Sequence, residues 1–177
     1  MLVSTPRLNL RPIRLSDKES LFAYRSDAEA NKYQGAVPKS INDAGQFIKN
    51  TARTPNIAGT WFQLAIIEKE SQEMIGDLGI NFHKENYFRV SLGYTVAKQK
   101  QGKGFATEAL RHVIDHVFRE MGKNEILVHI DPENRASIRV AEKLGFTDTQ
   151  NEIVTEMHGQ SFTDRIYCLT KSDWLSV

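Results

Sequence analysis

Glycine and lysine are concentrated at residues 98–107, where a loop runs into a predicted helix. The segment QKQGKG (99–104) is followed at once by Phe105, from which apolar residues recur at helical spacing. Glycine allows the backbone to approach a ligand closely, and free N–H groups at the start of a helix attract anions. Three lysines add positive charge at the same place. The segment therefore predicts a binding loop for a phosphate-bearing ligand.

The spacing of this loop separates three kinds of phosphate-binding motif. A P-loop needs Gly-x-x-x-x-Gly-Lys-[Ser/Thr], which the sequence lacks. A dinucleotide loop needs Gly-x-Gly-x-x-Gly, and Thr107 stands at its third glycine. An acyl-CoA loop, [Gln/Arg]-x-x-Gly-x-[Gly/Ala], is satisfied by Gln99, Gly102 and Gly104. A glycine turn with solvated lysines is the alternative, and the strongly amphipathic helix that follows favours the acyl-CoA interpretation.

The elements around the loop predict a mixed sheet. Segments rich in β-branched and aromatic residues at 61–68, 73–82 and 87–96 predict antiparallel strands joined by short polar turns. The helix over 105–121 then crosses to a strand at 125–130, which gives an α+β or α/β chain. The other predicted elements are a strand at 7–13, a helix capped by Ser16 and Glu19, a helix starting near Ser40, a short helix at 135–144 ended by Gly145, and strands near 149–157 and 165–170.

The composition of the 177 residues is typical of one globular domain. Hydrophobic residues make up 40% and charged residues 25%, and no linker-like run divides the chain, so one domain over 1–177 is expected. A net charge of +1 argues against direct nucleic-acid binding, and no apolar run is long enough for a membrane span. The single cysteine, Cys168, excludes an internal disulfide, so a reducing cytoplasm is the simplest setting.

A second motif follows the loop by about thirty residues and gives the chain a family resemblance. The segment DPENRASIRVAEKLGF (131–146) resembles motif B of the GNAT acetyltransferases, and LGYTVAKQKQGKGFATEAL (92–110) resembles their motif A. The segments TPRLNLRPI and RIYCLT also look like the RimJ/RimL branch, the ribosomal-protein N-terminal acetyltransferases and their relatives. The resemblance covers nearly the whole chain. It implies the GNAT fold, a twisted mixed sheet flanked by helices, whose central strands splay apart around acetyl-CoA.

The resemblance also implies which residues bind acetyl-CoA, the cosubstrate. Backbone amides from Gln101 to Ala106 would hold the pyrophosphate, Tyr94 to Val96 would pair with the pantetheine amides, and Asn134 would bond the pantetheine arm. Arg139 and Lys143, one helical turn apart, would reach the nucleotide phosphates or form a solvated helix face. The full implied set is Tyr94, Thr95, Val96, Gln101, Gly102, Lys103, Gly104, Phe105, Ala106, Thr107, Asn134, Ser137, Arg139 and Lys143.

The implied reaction is direct attack of a primary amine on the thioester. The N–H of Val96 is the candidate donor to the oxyanion. Many GNATs carry a tyrosine acid in motif B, and Ala141 stands at that position here. Ser137 is the candidate replacement that protonates the thiolate, with local capping of the short helix as an equally weighted alternative.

The general base is poorly specified by the sequence. Ser91 occupies a position where RimJ/RimL relatives often carry a glutamate. Asp77 is a candidate base that could face the acceptor cleft, although a hairpin aspartate is commonly just exposed. His83 is more typical of a loop histidine, and Glu108 is expected to interact with the helix dipole. A water chain could replace a dedicated base.

Two further features are given structural interpretations. His112 and His116 stand four residues apart on one helix, as in an H-x-x-E-H metal motif, but Asp115 replaces the glutamate and no third ligand is evident. No metal is therefore expected. Cys168 is predicted to be a buried structural thiol.

The sequence leaves the acceptor open. The N-terminus of a ribosomal protein is one expectation, and a small amine such as a polyamine or an aminoglycoside is the alternative. The substitutions at Ser91 and Ala141 also allow a non-catalytic module that senses acyl-CoA, and a nucleotide-binding oxidoreductase is a more distant alternative. A homodimer would fit this branch.

Overall fold

A computed structural model describes residues 1–35, 37–157 and 160–176, with side chains described outside 155–160. Eight strands form one sheet in the order β1-β2-β3-β4-β5-β6-β8-β7. The strands are β1 (Val3–Ser4), β2 (Leu8–Pro12), β3 (Thr60–Glu68), β4 (Met74–Phe82), β5 (Arg89–Val96), β6 (Glu125–Ile130), β7 (Thr147–Met157) and β8 (Gln160–Thr170). The helices are α1 (Lys18–Arg25), α2 (Ile41–Lys49), α3 (Phe105–Arg119), α4 (Arg135–Lys143) and α5 (Lys171–Leu175).

The mixed sheet confirms the predicted α+β class. Strands β5 and β6 are parallel, joined by the crossover through α3, and the other pairs are antiparallel. The sequence does not predict β1 or α5, because a two-residue strand and a five-residue helix are too short to show a hydrophobic period. The last two strands begin earlier than expected, at Thr147 and Gln160.

The first helix begins differently from the predicted capping box of Ser16 and Glu19. A 3₁₀ turn at Leu15–Asp17 leads into α1, and the Asp17 carboxylate accepts the Arg14 N–H at 2.7 Å. Asp17 also accepts two bonds from the Arg11 guanidinium, at 2.7 and 2.8 Å. The carboxylate closes the turn one residue before α1, so this boundary was mispredicted. Ser40, in contrast, caps α2 as predicted by accepting the Asp43 N–H at 3.1 Å.

Helices cover both faces of the sheet. Helix α3 buries the apolar stripe that the sequence predicts, from Phe105 to Phe118, against one face. Helices α1 and α2 pack together on the other face through a smaller cluster that includes Leu21 and Ala44. Strand alternation separates the two environments, since Leu78 lies in the α3 core while the neighbouring Asp77 contacts α1.

The centre of the sheet contains a gap. Strands β5 and β6 pair only at their beginnings, where Arg89 to Ser91 stand opposite Glu125 to Leu127. Strand β5 continues to Val96 and β6 to Ile130 without further pairing between them. The two strands therefore diverge beyond Ser91, which confirms the expected splay.

Candidate active site

The glycine loop presents a row of unpaired backbone donors. Gly102 and Gly104 have φ angles of +73° and +81°, and Gly104 is the N-cap of α3 without a side-chain cap. Within the described part of the chain, no N–H from Gly102 to Thr107 has a protein acceptor. These donors and the positive end of the helix dipole form an anion-binding cradle.

Arg7 and Glu108 hold this loop against the start of the chain. Arg7 Nε lies 2.6 Å from Glu108 Oε2, and Arg7 Nη1 donates to the Lys103 carbonyl at 3.0 Å. The guanidinium also stacks 4.4 Å from the centre of the Phe105 ring. Burial opposes ionisation of Glu108, but hydrogen bonds from Thr5 and Arg7 outweigh it and hold the pKa of Glu108 below its usual value. Glu108 thus anchors the loop, beyond its expected effect on the dipole.

The acyl-CoA pattern also fits in a second register, QGKGFA (101–106). In this register the central glycine is Gly104, the N-cap of α3. Gln101 Nε2 donates to the Val96 carbonyl at 2.9 Å, whereas Gln99 is exposed. Gln101 therefore joins the loop to the end of β5, and the pattern is better placed two residues later than the spacing alone indicated.

A first cleft of about 500 Å³ lies beside the loop. Every residue of the implied acetyl-CoA set lines it except Lys103, whose carbonyl is bonded to Arg7. Helix α4 brings Asn134, Arg139 and Lys143 to the same wall. The opposite wall includes Glu29, Ala30, Tyr33 and Gln34 from the segment after α1, which the sequence analysis missed.

The start of α4 places two polar side chains in this cleft. Asn134 Oδ1 accepts the Ser137 N–H at 3.1 Å and caps the helix. Its amide nitrogen has no partner among the described residues. The Tyr94 hydroxyl donates to Ser137 Oγ at 3.2 Å, so the two hydroxyls form a pair across the gap. Burial raises the pKa of Tyr94 and keeps its hydroxyl protonated, although the bond to Ser137 opposes the rise.

The backbone of β5 faces the gap at alternate residues. Ala97 N–H bonds to the Ile75 carbonyl beside β4, so the N–H groups of Val96 and Tyr94 point the other way, toward the gap. Their carbonyls point there too, since that of Tyr94 accepts Gln34 Nε2 at 3.1 Å and that of Val96 accepts Gln101 Nε2. Thr95 adds a buried hydroxyl without a partner at the cleft wall.

Asp77 does not face a cleft, so that prediction was wrong. Its side chain is 0% exposed and accepts bonds from the Tyr24 hydroxyl at 2.6 Å and from Arg25 Nη2 at 2.6 Å. The Gln63 amide also donates to it. The carboxylate is committed to these donors beneath α1, and it lines neither cleft.

A second cleft of about 380 Å³ continues from the first along β5 and shares Tyr33 and Gln34 with it. It opens on the sheet face that also carries Asp77 and Thr95. The Trp61 ring lies across Gly79 and Gly93, and a Cβ at Gly79 would stand 2.9 Å from it. The remaining lining residues are Lys32, Gly35, Asn81, His83, Ser91, Leu92, His129, Asp131, Phe162 and Asp164.

The second cleft contains titratable groups with shifted pKa values. His83 Nε2 lies 2.8 Å from the Ser91 hydroxyl. Burial, with repulsion from Arg89, lowers the pKa of His83, and partial burial, with repulsion from His83, lowers that of His129. Burial and repulsion from Asp131 raise the pKa of Asp164. The sequence offered no signal for this group, because its members lie on or next to different strands and no motif spaces them.

Cys168 is not a reactive thiol. The Cys168 thiol is half-buried and donates to Glu125 Oε1 at 3.5 Å, and burial raises its pKa to about 11, so it is a poor nucleophile.

The described residues include no group of three or more His, Cys, Asp and Glu side chains that could hold a metal ion. Across the same described ranges, no helix has both the length and the hydrophobicity to span a bilayer.

Comparisons with known proteins agree with this geometry. Residues 7–147 match the acetyltransferase (GNAT) domain. The N-acetyltransferase p20 of Bacillus licheniformis is 33% identical over 142 residues, 80% of each chain. The [ribosomal protein uS5]-alanine N-acetyltransferase of Escherichia coli is 26% identical over 118 residues, 66% of this chain and 61% of that one.

Solved structures share the fold at lower sequence identity. A GNAT-family acetyltransferase from Bacillus anthracis superposes with a TM-score of 0.84 at 20% identity, covering 97% of this chain and 99% of that one. Spermidine N-acetyltransferase from Vibrio cholerae, solved with CoA and spermine, gives a TM-score of 0.77 at 18% identity, covering 96% and 98%.

Proposed function

Because the chain belongs to the GNAT family of acetyltransferases, we propose that residues 1–177 form one domain in which an amine attacks acetyl-CoA across the gap between β5 and β6. One observation carries this proposal. The unpaired N–H groups of residues 102–107 stand at the open end of a gap whose closed end, at Ser91, borders the second cleft. A phosphate-bearing thioester and an acceptor can thus meet from opposite sides of the sheet.

The first cleft is lined by hydrogen-bond donors that have no protein acceptor, and these suit the polar groups of acetyl-CoA. The N–H groups of residues 102–107 would bind the pyrophosphate, with Arg139 and Lys143 on α4 supplying positive charge for the nucleotide phosphates. The free amide nitrogen of Asn134 would donate to the pantetheine arm. The orphaned hydroxyl of Thr95 matches a polar group of the same arm. When bound, acetyl-CoA supplies the activated acetyl group.

The order in which a bound chain would pass the residues of β5 indicates which N–H would donate to the oxyanion. A chain that starts at residues 102–107 and follows β5 inward passes Val96 before Tyr94. The N–H of Val96 would therefore pair with pantetheine, and that of Tyr94 would lie nearer the thioester and hold the oxyanion. This moves the proposed oxyanion donor from Val96 to Tyr94.

The leaving thiolate would receive its proton from Ser137. The Tyr94 hydroxyl donates to Ser137 Oγ, which leaves the Ser137 proton free to point at the sulfur. A thiol has a pKa of about 8.5, so its thiolate is a tolerable leaving group and needs only modest help. The two hydroxyls would thus serve in place of the motif B tyrosine that Ala141 replaces.

The acceptor would enter through the second cleft as a cation. Asp131 and Asp164 repel each other there, and Tyr33, Trp61 and Phe162 provide aromatic surface, so an ammonium group is the fitting ligand. We place the α-amine of a protein first, as in the E. coli relative that acts on uS5, and a small amine such as spermidine second. A reducing cytoplasm remains the proposed setting.

Thiol release from acetyl-CoA tests this function with three acceptors: a peptide beginning with alanine, spermidine and kanamycin. We expect release with at least one, together with a product heavier by one acetyl group. Tight acetyl-CoA binding without release for all three would instead favour the non-catalytic module.

Two glycines that flank α3, one before its start and one after its end, provide a matched pair of variants for the binding site. Gly104 and Gly122, at opposite ends of the helix, both have positive φ, so alanine at either costs about 1–2 kcal/mol of strain. Gly104→Ala is expected to raise KM for acetyl-CoA at least about fivefold, a change of about 1 kcal/mol. Gly122→Ala should change stability alone, and equal effects on KM would argue against the loop.

A further inference from the structure

We propose that His83 is the general base that takes the proton of the acceptor amine, and that Ser91 positions its ring. This inference rests on the proposed function, because it names the residue that serves the proposed acceptor. From the sequence, His83 is more typical of a loop histidine than of a base, because it follows the predicted strand in a polar turn and belongs to no motif.

The position of His83 relative to the gap carries the argument. Ser91 is the last residue of β5 that pairs with β6, so it marks the closed end of the gap. His83 Nε2 lies 2.8 Å from its hydroxyl, and both side chains line the second cleft. A thioester that enters along β5 points toward this closed end. The imidazole therefore stands on the side from which the amine must approach.

The contact with Ser91 orients the His83 ring. Ser91 is buried, with 6% of its surface exposed, so its hydroxyl is a fixed partner for the imidazole. When Nε2–H donates to Ser91 Oγ, the Nδ1 atom keeps its lone pair and becomes the basic nitrogen. Ser91 is thus a positioning residue, and we assign the neutral proton to Nε2, which leaves Nδ1 free to act as the base.

The proton transfers balance with this assignment. The amine nitrogen forms a bond to the acetyl carbon, and the proton it loses goes to His83 Nδ1. The carbon–sulfur bond breaks, and the thiolate takes the Ser137 proton while the Tyr94 hydroxyl passes its own proton to Ser137 Oγ. An amide and a free thiol leave, the imidazolium passes its proton to water, and the Tyr94 hydroxyl is restored by a proton from water.

Burial and the surrounding charges together lower the pKa of His83, which favours the neutral imidazole. Burial is the main cause of its lowered pKa, and the Arg89 guanidinium on β5 adds to it, while Glu85 and Glu125 act in the opposite direction. His129 on β6, with Asp131 and Asp164 beyond it, faces the same cleft. A neutral ring at pH 7 can accept a proton, as a base must.

His129 is the competing base within this cleft. His129 is more solvent-accessible than His83, and the described residues offer it no hydrogen-bond partner that would orient its ring. Its pKa is lowered as well, so the pKa alone does not separate the two histidines. The Ser91 contact and the position at the closed end of the gap favour His83.

Steady-state kinetics of His83→Gln and two control histidine variants test the proposal, with the most active amine of the panel held at saturation and acetyl-CoA varied. We expect His83→Gln to lower kcat about 100-fold or more, with KM for acetyl-CoA unchanged and with the rise of kcat between about pH 5 and 7 lost. The controls His129→Gln and His116→Gln, the latter on α3, should retain that rise. Ser91→Ala should lower kcat less, and the double variant with His83→Gln should lose no more than His83→Gln alone.

A weakly basic amine gives a readout that a structural role would not move. Trifluoroethylamine is largely neutral at pH 7, so the loss caused by His83→Gln should shrink to less than about tenfold. If the wild-type protein is active and His83→Gln is as active as His116→Gln, this proposal is overturned and the proposed function stays intact. Silence of the wild-type protein with every amine would overturn the proposed function instead.

Imidazole NMR tests the base independently of turnover. In the protein saturated with acetyl-CoA, His83 should titrate below the ordinary value of about 6.5 and carry its proton on Nε2 when neutral. A ring that stays protonated to about pH 8, or one that carries its neutral proton on Nδ1, would overturn the assignment.

Discussion

At the scale of residues, the hydroxyls of Tyr94 and Ser137 form a hydrogen-bonded pair, which we propose serves in place of the motif B tyrosine. Ala141 occupies the motif B position of the usual tyrosine acid, but the Tyr94 hydroxyl reaches Ser137 from β5 across the first cleft. The sequence pointed to Ser137 as a replacement and could not show its partner. The partner depends on which face of β5 carries Tyr94, and the fold decides that.

Replacing these hydroxyls should slow turnover without weakening binding. Ser137→Ala is expected to lower kcat about 10- to 100-fold, because the thiolate then leaves without a positioned proton donor. Steady-state kinetics with acetyl-CoA measure this change.

Tyr94→Phe provides the companion variant. It should cause a smaller loss, and the double variant should match Ser137→Ala. The cap of α4 uses the Ser137 N–H and not its hydroxyl, so thermal unfolding should be nearly unchanged. A loss of stability with normal kcat would assign Ser137 a structural role only.

At the scale of elements, Asn134 at the start of α4 caps the helix and lines the first cleft, where we propose that it binds CoA. Its side-chain oxygen caps the helix by accepting the Ser137 N–H, while its amide nitrogen faces the first cleft without a described partner. The two roles belong to different atoms of one side chain, so substitutions can separate them.

Two variants of Asn134 should differ in protein stability but lose the same amount of CoA affinity. Asn134→Ala removes the cap, which costs about 0.5–2 kcal/mol of stability. Asn134→Ser keeps a capping oxygen and should preserve stability. Both lose the amide donor, so both should weaken CoA binding by about 1–3 kcal/mol. Calorimetric titration with CoA and thermal unfolding measure the two effects, and normal CoA affinity in both variants would remove Asn134 from the site.

The loop before α3 shows the same dependence on a neighbouring element. Arg7 and Thr5 at the start of the sheet bind Glu108 and so hold the first turn of α3, although a hundred residues separate them in sequence. Local signals were enough to predict the loop, its glycines and the helix after it. The support that makes the loop rigid came only from the packing of the first strands against α3.

At the scale of the whole molecule, the buried ion pair of Arg25 and Asp77 ties α1 to the sheet. Asp77→Asn would remove a negative charge that is fully buried beside the guanidinium. We expect a loss of about 3–5 kcal/mol in the free energy of unfolding.

The exposed pair of Asp115 and Arg119 on α3 provides the control for that variant. Asp115→Asn should cost less than about 1 kcal/mol. Urea unfolding compares the two variants. An Asp77→Asn protein that kept its stability and lost its activity would restore Asp77 as a candidate base.

Acid should weaken the fold partly through Asp17. Burial alone would raise the pKa of Asp17, but bonds from Arg11 and the Arg14 N–H outweigh it and lower the pKa. A lowered folded pKa means that the stabilisation is complete above the ordinary value of about 3.9 and is lost as pH falls through the folded pKa.

Comparison of the wild-type protein with Asp17→Asn isolates this contribution. The variant should be less stable by about 1–3 kcal/mol at pH 7, and this difference should shrink as the pH falls below about 4. Urea unfolding at several pH values measures it. A difference that stays constant with pH would show that the carboxylate charge contributes nothing.

The sequence by itself determined the half of the site that depends on neighbouring residues. A turn of glycines ahead of a helix leaves N–H groups unpaired wherever it occurs, so residues 102–107 could be identified as an anion-binding loop without a fold. The type and approximate extent of most strands and helices followed in the same way, from hydrophobic periods and caps that lie within one element. Asn134 as a capping residue is equally local.

Tertiary structure alone decided the second cleft, which is the proposed acceptor half of the site. Ser91, His129 and Asp164 lie on three strands and His83 directly follows a fourth, so their meeting depends on the β4-β5-β6-β8 order and on register. A shift of one residue turns a side chain to the other face of a sheet, which is why Asp77 could be expected in a cleft and lies beneath α1. Strand order and register are set by packing across the whole molecule, so no local pattern contains them.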